Sequence, residues 1–157
     1  ELIILFYTRL ITHELFNAYP VFNLHPSLLP AFKGFNAINQ AYQAKSKYLG
    51  ATLHRVNETV DGGEVICQSI LPILPGWDEN MLHKSSFMQR VYLTILLIIL
   101  FRSKELICVS EKALIQQSKL TGNCRFNPEL RDQKILDELI ELDAMNETNV
   151  MLESKWQ

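Results

Sequence analysis

Asn23 and His25 stand two residues apart in Val21-Phe22-Asn23-Leu24-His25, a run that reads as a short strand stopped one residue later by Pro26. A spacing of two on a strand puts both side chains on one face. An Asn amide there can donate to a developing oxyanion, and a His can carry a proton or add positive charge. Both residue types also serve as plain structural groups at strand ends, so the pair alone leaves the chemistry open. What sets it apart is its exit, Pro26-Ser27-Leu28-Leu29-Pro30, which can continue neither a strand nor a helix. A carboxylate follows in Val60-Asp61-Gly62-Gly63, where the two glycines make either an ordinary turn or a loop whose backbone approaches a ligand closely. If Asp61 folds back on His25, it orients the imidazole and stabilises its protonated form, as the carboxylate of a catalytic triad does. Spacing along the chain does not decide whether they meet.

These residues need elements to hold them. Leu2 to Tyr7 is a continuous apolar run, the pattern of a strand covered on both faces. Thr12 can cap a short helix that turns Leu15 and Phe16 inward and ends at Pro20. Asn36 to Lys47 reads as a helix with Ala37, Ile38, Ala41, Tyr42 and Ala44 on its apolar face. Gly50 to Val56 and Glu64 to Leu71 read as strands on either side of the Asp61 turn, the second closed by Pro72, Pro75 and Gly76. Asp78 is an N-cap for a long helix through Met81, Leu82 and Phe87. Its apolar run, Val91 to Phe101, is broken only by Thr94 and falls short of the roughly 20 residues a membrane span needs, so a buried helix is expected. Further on the pattern weakens: a strand within Glu105 to Ser110, an amphipathic helix over Glu129 to Leu142, and a polar tail from Asn146. Alternating helices and strands over the first hundred residues indicate an α/β fold.

A chain of 157 residues, 48% apolar and 20% charged, suits one ordinary globular domain rather than a disordered segment. Its net charge of −2 gives no electrostatic case for nucleic acid or an acidic membrane as partner. Cys67, Cys108 and Cys124 are odd in number and lack CxxC spacing, which argues against a disulfide framework and fits a reducing, cytoplasmic setting. His13 and His83 have no partners at metal-ligand spacing, so no metal is expected. The opening residues lack the basic start of a signal peptide, and the chain begins inside a core-strand pattern, as a piece of something longer would.

The string Asn23-Leu24-His25-Pro26-Ser27-Leu28-Leu29-Pro30-Ala31-Phe32-Lys33-Gly34 closely resembles the signature of folate-dependent formyltransferases. Gly50 to His54, Val60 to Gly63, the Val65-to-Gln68 strand and the Pro72-to-Gly76 exit fit the same family, so the resemblance covers about residues 2 to 100. It implies the C-terminal portion of a Rossmann-like fold, with a mixed, mainly parallel sheet flanked by helices. Residues 1–103 would form the catalytic and folate-binding region, its N-terminal part absent, and 104–157 a divergent, partly helical extension. The implied reaction is attack of an amine on the formyl carbon of 10-formyltetrahydrofolate. Asn23 would hold the carbonyl oxygen as it becomes an oxyanion, His25 would add charge, and Asp61 would keep His25 charged and help remove the amine proton. Arg9, Leu10 and Ile11, with Glu58, Thr59, Val60, Gly62 and Gly63, match the segments that line the family's pteridine pocket. Phe32-Lys33-Gly34 and the Leu74-Pro75-Gly76 exit are most similar to the branch whose acceptor is glycinamide ribonucleotide in purine synthesis.

The chain also departs from that family. Leu5-Phe6 stands where a small Ala-Gly pair is usual, and near Arg90 the family's long helix carries an acidic residue that contacts the substrate ribose. The family's opening strands and glycine-rich phosphate loop have no counterpart here. His54 is expected as a structural or pocket-side support. Two other readings stand beside the transferase. With water as acceptor the chain would be a formyltetrahydrofolate hydrolase, although that family often shows His-His-Ser-Phe-Leu-Pro where this chain has His25-Pro26-Ser27-Leu28-Leu29-Pro30. Alternatively it is a non-catalytic remnant that needs a partner chain, whose open sheet edge at Leu2 to Tyr7 favours self-association.

Overall fold

The computed structural model describes residues 1–6, 11–104, 106–109, 112–115, 126–127 and 134. In chain order the elements are β1 (Ile3–Leu5), α1 (His13–Ala18), β2 (Val21–His25), α2 (Ala37–Gln43), β3 (Tyr48–Arg55), β4 (Val65–Pro72), α3 (Glu79–Arg102), β5 (Leu106–Val109), β6 (Lys112–Ile115) and β7 (Phe126–Asn127). Five strands form one mixed sheet in the order β1-β2-β3-β4-β7, and β5 and β6 pair separately. β1 runs parallel to β2, whereas β2–β3, β3–β4 and β4–β7 are antiparallel. The sheet is therefore mixed as expected, but among the described strands its weight is antiparallel. The short loops around Asp61 turn β3 straight back into β4, which a parallel pairing would not permit.

Side-chain alternation gives β2, β3 and β4 two unlike faces. Phe22, Leu24, Ala51, Leu53 and Cys67 pack with Leu93, Leu96 and Leu97 of α3 in one buried cluster. Each buried Leu or Phe there stabilises the fold by roughly 1.5–3 kcal/mol. The opposite face carries Asn23, His25, Thr52, His54 and Gln68. Register pairs Asn23 with His54, His25 with Thr52, and Thr52 with Gln68, so the polar residues form a contiguous patch.

Asp78 caps α3, its Oδ1 accepting from the Met81 N–H at 2.8 Å. The buried stripe of that helix runs through Leu82, Ser86, Gln89, Tyr92, Leu93, Leu96, Leu97 and Leu100. By length and composition α3 could cross a membrane, yet it lays this stripe against the sheet. Phe87 falls off the stripe and is 52% exposed. α2 ends at Gln43 rather than Lys47 because Lys45 adopts φ 51° and closes a Schellman turn, with Ser46 N donating to Ala41 O and Lys45 N to Tyr42 O. Tyr42 is exposed, and Ala37, Ile38 and Ala41 supply the buried face. β1 is three residues long and half-buried, being the edge of the described sheet. Thr12 starts α1 through its backbone, its hydroxyl making no cap, and Leu15 and Phe16 are half-buried. The helix expected over Glu129 to Leu142 lies outside the described residues except at Lys134.

Candidate active site

The polar face of the sheet brings Asn23, His25 and Asp61 together. His25 Nδ1 is 3.2 Å from Asp61 Oδ2, and the two side chains are 5% and 9% exposed. The other ring nitrogen, Nε2, is 2.8 Å from the Phe32 carbonyl oxygen, which can only accept, so Nε2 carries a hydrogen. The Nδ1···Oδ2 contact then requires one shared proton. With that proton on nitrogen, the pair is an imidazolium–carboxylate buried against the sheet. The expected orienting role of Asp61 thus has its geometry, while the His25 Nε2–H is committed to Phe32.

Asp61 reaches this place from a turn in which it takes φ 47°, a left-handed conformation that Asp tolerates better than most residues. Gly62 N closes the turn on Thr59 O at 3.0 Å. Gly63 lies so close to β3 that an added Cβ would collide with the Arg55 carbonyl oxygen, which makes glycine obligatory there. Asp61 Oδ2 also accepts from the Gly34 N–H at 2.8 Å, tying the turn to the loop after β2.

That loop is held from below. Buried Thr52 donates its hydroxyl to Ser27 O at 2.6 Å and accepts from Leu29 N at 3.0 Å and from Gln68 Nε2 at 2.9 Å. Gln68 Nε2 also donates to Leu29 O at 3.0 Å. From this clamp the chain continues through Phe32 at φ 52° and Gly34 at φ 78°, presenting the Phe32 carbonyl to His25 and the Gly34 N–H to Asp61. A left-handed aromatic residue is strained, and the hydrogen bonds on either side of Phe32 hold it.

His54 joins the cluster across the strand. Its Nδ1 is 3.0 Å from Arg55 O, and its Nε2 is 3.3 Å from Asn23 Nδ2 and 3.4 Å from Asp61 Oδ1. Burial lowers its pKa below the usual 6.5, outweighing the opposing effects of the Arg55 carbonyl and the Asp61 charge. A neutral ring that donates from Nδ1 to Arg55 has a bare Nε2, which accepts from Asn23. This partnership fixes the Asn23 amide with Nδ2 toward His54 and leaves its second N–H for the cavity.

Asn23, His25 and Asp61 open onto a cavity of about 300 Å³ that is also lined by Phe6, Gly34, Asn36, Val60, His83 and Arg90. Phe6 therefore stands at the site, where a small residue was noted as usual. The expected cofactor segment divides. Val60 lines this cavity, whereas Glu58, Thr59 and Gly63 line a second one of about 370 Å³ with Phe16, Asn17 and Arg55. Ile11 precedes α1, and Arg9 and Leu10 lie outside the described residues. Cys67 is buried in the core, where desolvation drives its thiol pKa far up, consistent with a small packing residue. The clamp residues Thr52 and Gln68 were not identified from sequence, whereas His54 was expected as a structural or pocket-side support; Thr52 and His54 alternate with Ala51 and Leu53, a period-two signal of a polar face.

Residues 1–93 match a family model described as formyl transferase. A phosphoribosylglycinamide formyltransferase of Bacillus subtilis (strain 168) is 47% identical over 69 residues, 43% of this chain and 35% of that protein. The crystal structure of glycinamide ribonucleotide transformylase 1 from Symbiobacterium toebii superimposes with TM-score 0.63 at 33% identity, covering 71% of this chain and 53% of that one. A formyltetrahydrofolate deformylase from Pseudomonas syringae shares the fold, with TM-score 0.64 at 22% identity over 71% of this chain and 38% of that one. The chain thus spans about a third of the length of the Bacillus protein and about half of the Symbiobacterium chain.

Proposed function

Because the chain belongs to the formyl transferase family, we propose that its polar cavity transfers a formyl group from 10-formyltetrahydrofolate to the amine of glycinamide ribonucleotide, a step of purine synthesis, in the cytoplasm. The observation that carries this reading is the Asn23–His54 and His25–Asp61 arrangement at the mouth of one cavity. The acceptor nitrogen attacks the formyl carbon, and the carbonyl oxygen becomes an oxyanion. Asn23 donates its uncommitted N–H to that oxygen. The His25 imidazolium, held by Asp61, adds positive charge on the same face. The attacking amine loses its proton toward Asp61, directly or through water, and collapse of the intermediate expels the folate nitrogen, which takes up a proton. A preorganised donor of the Asn23 kind contributes roughly 100- to 1,000-fold in rate. The folate ring is assigned to the side of the cavity bounded by Val60 and the Asp61 turn. No metal takes part in this scheme.

The test is release of tetrahydrofolate from 10-formyltetrahydrofolate with and without glycinamide ribonucleotide. Release that requires the amine, and that Asn23→Ala lowers by roughly 100-fold or more, supports the proposal. Release without the amine reassigns the chain as a hydrolase, and no release in either arm leaves it a non-catalytic partner-dependent chain.

A further inference from the structure

The cavity that holds Asn23 and His25 also holds a cation the reaction scheme does not use. Arg90, half-buried on α3, lines the cavity together with His83. Its Nε is 3.4 Å from the Ser86 carbonyl, and its guanidinium lies 5.9 Å from the Phe87 ring centroid. Neither contact neutralises a charge. Among the described residues no carboxylate lies within ion-pairing distance of it. The carboxylate in the cavity, Asp61, already serves His25 and the Gly34 N–H. His83 has its own partner in Glu79 at 3.8 Å. Burial lowers the Arg90 pKa below its usual 12.5, the mark of a guanidinium partly withdrawn from water. A partly desolvated cation without a counterion is unfavourable, and an oxyanion seated against its terminal nitrogens removes that penalty. The planar fork suits carboxylate and phosphate oxygens in a bidentate grip.

We infer that Arg90 is the anion clamp of this cavity, its guanidinium gripping the phosphate of the acceptor. The inference rests on reading the cavity as a formyl-transfer site, and it adds what that reading leaves open: how an acceptor with an anionic end is anchored by residues of this chain. It also makes Arg90 a specificity determinant, because an uncharged amine forfeits the clamp and leaves the guanidinium unpaired.

Two measurements on the whole chain test it. In the first, inorganic phosphate is titrated while the backbone amide resonances around residue 90 of α3 and the cavity are followed by NMR. A saturable shift of those amides that disappears in Arg90→Gln and weakens in Arg90→Lys supports the clamp. No saturable shift, or one that persists in Arg90→Gln, overturns it. Helix content by circular dichroism establishes that each variant is folded, and Arg90→Lys gives a second variant that keeps the charge. In the second, KM is determined separately for donor and acceptor. The clamp raises the acceptor KM in Arg90→Gln by roughly 10- to 100-fold with a smaller change in kcat. A rise confined to the formyl donor places the anion on the folate and overturns the assignment to the acceptor. Phosphate binding at Arg90 without formyl transfer refutes the enzymatic reading and keeps the clamp; transfer without phosphate binding does the reverse.

Discussion

Thr52 is fully buried, and its hydroxyl is the hub of the loop that carries Phe32 and Gly34 to the site. Thr52→Val keeps the shape and deletes the hydroxyl. Ser27 O and Leu29 N then lose their partner, whereas Gln68 Nε2 keeps Leu29 O. An unsatisfied buried group costs about 1–3 kcal/mol, so two cost about 2–6 kcal/mol. For a chain of this size each kcal/mol lowers Tm by about 2–4 °C, giving a drop of roughly 4–24 °C. Thr52→Ser retains the hydroxyl and loses one methyl, worth about 1 kcal/mol. Thermal unfolding of the three proteins compares them directly. Native-state cleavage by trypsin at the exposed Lys33 reads the loop itself, since local opening exposes it. A Thr52→Val protein that melts with Thr52→Ser and resists trypsin equally well refutes the clamp.

Three further outcomes follow from the same geometry. Because burial depresses the His54 pKa below 6.5, the unfolded chain takes up that proton first. His54 therefore contributes stability that is present above 6.5 and declines as pH falls toward the depressed folded value. Urea unfolding between pH 5 and 8 should show this decline in the native chain and a shallower one in His54→Gln; equal slopes contradict it. Asp61→Asn retains an acceptor for Gly34 N and removes the charge beside His25, so formyl transfer should fall by roughly 100-fold or more while Tm changes little. Gly63→Ala drives a Cβ into the Arg55 carbonyl and should destabilise the fold by about 1–3 kcal/mol in denaturant titration.

Much of the frame was legible because it rests on local patterns. Val21 to His25 emerges as β2 with the expected bounds, and Asp78 caps α3 as its residue type suggests. The meeting of His25 and Asp61 was not legible, since it depends on 35 intervening residues folding into the β3–β4 hairpin that returns Asp61 to β2. The Phe32 carbonyl and Gly34 N–H were invisible for a different reason. Backbone atoms have no residue type to betray them, and a left-handed Phe is not what propensity suggests. Lys45 ends α2 in a conformation that glycine usually fills, which is why the helix reads too long. The antiparallel β3–β4 pairing had a local signature in the short connection around Asp61, whereas the pairings of β2 with β3 and of β4 with β7 had none. For the cofactor loop, residue order hides a division that the chain makes between Thr59 and Val60, which line different cavities.

The central claim is that Asn23 and its neighbours deliver a formyl group to an amine. The most direct measurement supplies 10-formyltetrahydrofolate labelled with carbon-13 at the formyl position, adds glycinamide ribonucleotide, and follows the label by NMR. The account predicts that the label appears on the acceptor amine with the native chain and that Asn23→Ala slows its appearance by roughly 100-fold or more. Label recovered as free formate, or transferred equally fast by Asn23→Ala, contradicts it.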